Sequence, residues 1–469
     1  MTPEASTKSE VVVKPATKNM ELIQGGLLVL LAISFVLLQL FPIKELETVI
    51  SVLIIVIIAW VLPSIRGTTL VICIVLLVSG IGLMIYNHVS FNSWLDSVRI
   101  NLTIVAVFLS VPLIGITVKT GGYVLALERI MSRKMNSPSF LYVGANVLTH
   151  ILSVILNIGS ITIVNQLTKA SRIVSPRLIG NAINRGFATT IFWSPYFSAM
   201  ALVLSQLPIR WSTIFLYSFG LSIIGIVISY FLEIRTMKEL DIKKETNITT
   251  GEKELKKSKR KVFELFLLLT SIMATVLILE AILPLSMVLI IVLLSFFFPF
   301  LWCLFSGTFS SYKKELMEHI FVTIPKMKKE IVLFLIAGFF SGAIIFTETN
   351  EQLITFITTI FGTNTMLISI FLSSMVLLTG LIGIHPIVVI TILITGINPE
   401  LLGISPEYYA ILLLASWGIS NLSSPATAVN NLLSNLLNKD ILEVSVKWNI
   451  KFVLIMIIII PIYLSITGV

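Results

Sequence analysis

Two stretches decide how this chain is read: FWSPYFSAMALVLSQL at residues 192–207 and LSSPATAVNNLLSNL at residues 422–436. Each lies in an apolar run of membrane length, each carries Ser-Pro, and each closes on Leu-Ser-amide-Leu, with a one-residue gap between the two. Proline removes a backbone donor and clashes with the carbonyl four residues earlier, so a helix is predicted to break at both. The hydroxyls and amides around the second break, Ser420, Asn421, Ser423, Ser424, Thr427 and Asn430, have two readings. They line a site where unwound backbone meets a ligand, or they bond back to their own helix around a plain kink. The recurrence of the break favours the first reading.

Composition places both stretches in a membrane. Of 469 residues 56% are hydrophobic and only 12% charged, and the mean hydropathy is +1.00. Soluble domains do not have this balance. The apolar runs are apolar all round and do not alternate with period two, which excludes a barrel and predicts an all-α polytopic protein. Residues 1–22 read as an uncleaved cytoplasmic tail, with no small-residue cleavage site behind the first run. Cys73 and Cys303 fall inside apolar runs without metal-ligand neighbours and read as inert buried thiols. The net charge of +9 sits in short loops, where it reports orientation and not a nucleic-acid partner.

The most basic stretch, 235–261, carries ten Lys/Arg against five Asp/Glu. It marks a cytoplasmic linker, 233–261, between membrane halves 23–232 and 262–469. Spans are expected near 23–41, 49–64, 68–86, 102–118, 180–207 and 213–232, then 262–283, 286–306, 331–347, 405–437 and 448–466. The apolar stretches 138–167 and 365–396 are expected to be re-entrant hairpins that do not cross. With these eleven crossings, Arg66, the cluster Lys119, Arg129, Arg133 and Lys134, the lysines of 307–330, and Lys439, Lys447 and Lys451 all fall on the inner side. The N-terminus is then cytoplasmic and the C-terminus outside, in a plasma membrane. VFLSVPLIGITVKTG (107–121) pairs loosely with LFLIAGFFSGAIIFTET (333–349), and LSVILNIGSITIV (152–164) with LSSMVLLTGLIGIHPIVV (372–389), in the same order as the Ser-Pro pair. Repeat cores 100–232 and 331–466 begin at spans of opposite direction, so they are inverted. This is the plan of secondary transporters.

These motifs resemble the ion transporter superfamily, in particular the divalent anion/sodium symporters that carry dicarboxylates and citrate. The resemblance covers about 100–232 and 333–466. It implies eleven spans, two inverted repeats with a hairpin and a broken helix each, and sodium bound beside the substrate carboxylate. The expected transport is of elevator or rocking type, elevator-type alternating access first, driven by sodium, protons or exchange, with no other cofactor. In that family the hairpin tips carry Ser-Asn-Thr and the broken helices a Thr-Pro-Pro-Asn-like turn. Here the first tip keeps Asn157, Ser160 and Thr162, the second reads Thr379-Gly380-Leu381-Ile382-Gly383, and the turns read WSPYF and SSPAT. The resemblance therefore implies a substrate site at Asn157, Ser160, Ser194, Thr379, Asn421, Ser423, Ser424 and Thr427, and a single sodium site at Asn157 and Ser194.

Among charged residues, Arg185 in NAINRGFATTIFWSP lies about 8 Å into its span at 1.5 Å per residue. It is read either as an anion-binding group or as a snorkelling side chain. His385 before Pro386 reads as a locally satisfied histidine, with substrate donation or proton carriage as the functional alternative. His150, Glu280 and Glu348 read as structural. No HExxH, Walker loop or GxSxG is present, so an enzyme is not expected, and the charged rings or carbonyl filter of a channel are missing too. The sequence thus predicts an ion-coupled carrier of a small carboxylate-like anion, embedded in the lipid bilayer, with a homodimer as one assembly. The alternative is a carrier of a neutral, amphipathic or lipid-linked solute, and after it a membrane-embedded enzyme or channel.

Overall fold

A computed structural model describes residues 15–131, 137–169, 171, 173–240, 252–347 and 349–469. Residues 1–14 of the expected tail, Arg133, Lys134, Glu348 and residues 241–251 of the linker lie outside them. The described residues form helices and no strands. Ten of these helices are long and apolar enough to cross a membrane. Nine of the ten are the continuous spans read from the sequence; the two helices interrupted at Ser-Pro complete the expected eleven. The tenth, Pro138–Leu156, is the outer arm of the first hairpin, because the chain turns at Asn157–Ile158 into Gly159–Thr168. Helices dominate for the usual membrane reason: only a helix or closed barrel satisfies every backbone group without water.

Each repeat contains the same pair of units. The first hairpin is followed by Pro176–Ile191 and Ser198–Gln206, a helix broken at 192–197. The second hairpin, Thr365–Leu381 and Pro386–Gly396, is followed by Pro406–Ser423 and Ala428–Leu437. Proline opens the helices at 138, 176, 386 and 406, where its missing N–H is not needed. Ser175 and Ser405 complete two of these starts by accepting the N–H of Leu178 at 3.3 Å and of Tyr408 at 3.1 Å.

The repeats interlock with two-fold logic. The return arm Gly159–Thr168 packs against Ala428–Leu437 of the other repeat, and Pro386–Gly396 packs against Ser198–Gln206. The outer halves of the broken helices, Pro176–Ile191 and Pro406–Ser423, lie on each other. Gly418 permits that approach, since a Cβ there would stand 2.7 Å from the Ala188 carbonyl. Trp211–Glu239 and the final helix Trp448–Thr467 brace these elements from outside. A second group surrounds this core: the first three spans, Phe91–Thr120, Glu252–Ile282, Met287–Phe305 and Lys328–Phe346. Of the short helices not anticipated from the sequence, Tyr123–Met131 and Thr349–Phe361 link the two groups, and Phe309–Glu318 joins two helices of the second group.

Candidate functional site: a cavity beside the first break

At the second break, the hydroxyls and amides are engaged by the protein itself. Ser424 is extended and caps the end of Pro406–Ser423, while Thr427 caps the start of Ala428–Leu437 by accepting the N–H of Asn430. The freed carbonyls are met mainly by one side chain, with Thr427 and Asn184 beside it. Asn430 Nδ2 donates toward the carbonyls of Asn421 at 3.1 Å, Leu422 at 3.1 Å and Ser424 at 2.8 Å, and its Oδ1 accepts from Asn184 Nδ2 of the first broken helix at 2.7 Å. Ser423 bonds back to Ile419 O at 3.1 Å, and Ser420 donates to Val376 O of the second hairpin at 2.9 Å. The Thr427 hydroxyl reaches Asn421 O and Ser424 O, both at 3.2 Å. Here the back-bonding reading describes the geometry.

The first break is built from aromatic rings. Trp193 Nε1 donates to His150 Nε2 at 3.0 Å, and the Trp193 carbonyl accepts Trp211 Nε1 at 2.9 Å. Since Nε2 of His150 accepts, its proton sits on Nδ1, facing the hydroxyls of Thr189 at 3.0 Å and Thr190 at 3.3 Å. Ser194 is fully buried, and its hydroxyl accepts the Tyr196 N–H at 3.4 Å. Tyr196 is 1% exposed, yet its phenol oxygen has no hydrogen-bond partner. A buried, unanswered hydroxyl is costly and calls for a ligand or water.

Arg185 neither snorkels nor faces the breaks. It is 1% exposed, and all five of its N–H groups meet protein acceptors. Nε reaches Asn449 Oδ1 at 2.9 Å; Nη1 reaches Tyr142 Oη at 3.3 Å and Ser229 O at 3.4 Å; Nη2 reaches Glu233 Oε1 and Trp448 O, both at 3.0 Å. Glu233 is equally buried and also accepts Asn181 Nδ2 at 2.7 Å. With its donors saturated, Arg185 has none left for an anion, which corrects its expected place in the substrate site. Its partner was missed because Glu233 falls one residue past the expected span end at 232. Two opposite charges inside adjacent apolar runs were the available signal.

Next to the first break lies a cavity of about 320 Å³. The tip residues Asn157, Ile158 and Gly159, then Tyr196 and Ser198, contribute the first-repeat wall, and Ala428 comes from the second repeat. The facing wall belongs to the surrounding helices: Val107, Phe108, Val111 and Pro112 on one side, Thr323, Lys326, Met327 and Glu330 on the other. The lining is thus mainly apolar with a few polar groups, as in small-molecule sites. Lys326 and Glu330 are not ion-paired with any described residue. Asn157 takes a positive φ of 48°, a left-handed turn that asparagine tolerates.

Of the residues singled out from sequence, Asn157 lines this cavity. Ser160 is turned to Ser153 Oγ and Asn157 O, each at 2.7 Å. Ser194, Asn421, Ser423, Ser424 and Thr427 are buried outside its lining. The second tip lies later than expected: Thr379 is still helical and bonds back to Met375 O at 2.8 Å, and the chain turns at 382–385 through Gly383 at φ 91°. His385 accepts the Ile387 N–H at 3.2 Å, a local cap for Pro386–Gly396. Glu280 caps another helix by accepting the Trp211 N–H at 3.1 Å. Lys326 was read from the sequence only as part of the inner-side charge cluster of 307–330, and Glu330 was not singled out.

No protein-family model and no curated protein matches this chain. Among solved structures it is similar to the YdaH transporter of Alcanivorax borkumensis, whose crystal structure is described as revealing an unusual topology. The TM-score is 0.58 at 13% identity, over 85% of this chain and 98% of that one. At this identity the likeness is one of fold. The likeness does not extend to the dicarboxylate/sodium symporters in particular.

Proposed function

We propose that this chain is a secondary active transporter of elevator type, which carries a small organic anion with an apolar body through the cavity beside the first break. The observation that supports it most is the composition of the cavity walls. One wall belongs to the interlocked repeats and the other to the surrounding helices, so sliding of the core past its surround would carry a bound solute across. The apolar residues hold the body of the solute, the Tyr196 hydroxyl donates to its polar end, and Lys326 supplies the counter-charge. Glu330, a carboxylate that lines the same cavity outside any ion pair among the described residues, takes the coupling cation, sodium or a proton. A carboxylate so placed costs free energy until a cation neutralises it, which links cation and anion binding. Sodium sites at the second break are disfavoured in this reading, because Asn430 already answers its carbonyls.

The test is flux into proteoliposomes with a panel of radiolabelled aliphatic and aromatic carboxylates. Saturable counterflow is expected for at least one of them. With that solute, Glu330→Gln keeps counterflow and loses accumulation driven by a cation gradient, and Lys326→Gln weakens affinity. Unsaturable flux that follows membrane potential alone would indicate a channel and overturn the proposal. Unchanged affinity in Lys326→Gln would move the solute class from anionic to neutral.

A further inference from the structure

Around Arg177 and the lysines that follow Asn438 lies a second cleft, of about 470 Å³. It is lined by four cations, Arg177, Lys439, Lys447 and Lys451, against a single carboxylate, Glu443. None of the three lysines is ion-paired with a described residue. Arg177 is held only loosely, its Nε standing 3.8 Å from Glu233 Oε2. Four like charges around one concavity repel each other and attract an anion. Their position also selects which anion. On Trp448–Thr467, Lys451 is followed at helical spacing by Leu454 and Ile458, which are 52% and 51% exposed. One face of this helix therefore runs from the cationic cleft onto an open apolar strip, with Trp448 buried at the junction.

We propose that this cleft seats the phosphate of an anionic phospholipid, with the acyl chains running along Leu454 and Ile458. A free phosphate ion has the charge for the cleft and makes no use of the strip. A zwitterionic lipid has the chains and lacks the net charge. The site is independent of the transport cavity, since the two share no lining residue.

The experiment titrates the purified full-length chain in detergent with dioctanoyl phosphatidylglycerol, dioctanoyl phosphatidylcholine and inorganic phosphate, following the unfolding temperature. Phosphatidylglycerol is expected to raise it, and the other two to leave it unchanged at equal concentration. The doubly substituted Lys447→Gln, Lys451→Gln protein should unfold at the unliganded wild-type temperature, because both side chains are exposed. It should bind phosphatidylglycerol about thirtyfold more weakly, on the order of tenfold or less per lysine. Lys439→Gln is the second variant, with a smaller loss. Equal stabilisation by phosphatidylcholine, or full binding by the double variant, would overturn the proposal. Stabilisation by phosphate equal to that by phosphatidylglycerol would overturn the lipid as the source of the anion.

Discussion

The two broken helices share a Ser-Pro signature and solve the break in opposite ways. In the second repeat the chain is rich in hydroxyls and amides, and these close the break from within, with Asn430 answering three carbonyls and tying itself to Asn184. In the first repeat Phe192, Trp193, Tyr196 and Phe197 surround the break, and one of these rings presents an unanswered hydroxyl beside a cavity. A polar stretch in a membrane helix thus marks where backbone must be satisfied. At the first break the Tyr196 hydroxyl remains buried without a partner.

The largest test of this contrast concerns the ion pair carried only by the first broken helix. Glu233→Leu leaves Arg185 buried without its counter-charge and is expected to destabilise by about 3–5 kcal/mol. Adding Arg185→Met to it should restore most of the loss, as read by thermal unfolding in detergent. Recovery would mark the pair as structural; persistent loss of flux in a well-folded double variant would return Arg185 to the transport mechanism.

Next comes the amide that closes the second break. Asn430→Leu removes the amide shared by the three carbonyls and leaves Asn184 Nδ2 only the Leu422 carbonyl at 3.5 Å, while the Thr427 hydroxyl still reaches Asn421 O and Ser424 O. A loss of about 1–3 kcal/mol is expected, with reduced yield and a lowered unfolding temperature. Asn184→Leu should give part of the same loss. A stable Asn430→Leu protein would mean that the Thr427 hydroxyl, and not Asn430, is the group that closes the break.

Smaller still in stability, and sharper in function, is the pair Tyr196→Phe and Ser423→Ala. Both should stay within about 0.5 kcal/mol of the parent, since the first removes an unpartnered hydroxyl and the second a back-bond to its own helix. Tyr196→Phe should lower solute affinity, whereas Ser423→Ala should leave it unchanged. The reverse outcome would relocate the site to the second break.

The smallest expected effect is one of pH. His319, in the link before Lys328–Phe346, has Nε2 2.7 Å from Leu109 O. Burial pushes its imidazole below the ordinary value near 6.5, against that hydrogen bond and with help from nearby Lys119. The unfolded chain therefore binds the proton more readily. The contribution to stability is present above about pH 6.5 and is lost as pH falls below it. His319→Gln should flatten the decline in unfolding temperature between about pH 7 and pH 5.5. An unchanged slope would show that other groups cause it.

Much of the architecture was legible in the sequence because a bilayer demands continuous apolar helices and proline interrupts them visibly. Runs such as VISVLIIVIIAWVLPS needed no tertiary information, and the two Ser-Pro breaks exposed the repeat. The second tip was misplaced because glycine at 380 resembles a turn, although its role is to admit Ser420 against the hairpin; the turn needs Gly383, where φ is positive. The candidate site was less legible. Which of many hydroxyls keeps a free valence depends on packing between segments far apart in the chain, and neither Asn430 to Asn184 nor Arg185 to Glu233 leaves a local pattern. The cavity joins tip, break and a lysine-bearing link that charge bias alone had assigned to orientation.

Cysteine accessibility tests the central claim most directly. The native Cys73 and Cys303 are buried, so single cysteines can be introduced at Ser198 and Ala428 in the cavity wall and at Ser423 and Ser424 in the second break, then exposed to a small methanethiosulfonate reagent in native membranes. Fast modification at 198 and 428, with loss of flux, and none at 423 and 424 is the predicted result. Modification at 423 and 424 with protection at 198 and 428 would contradict it.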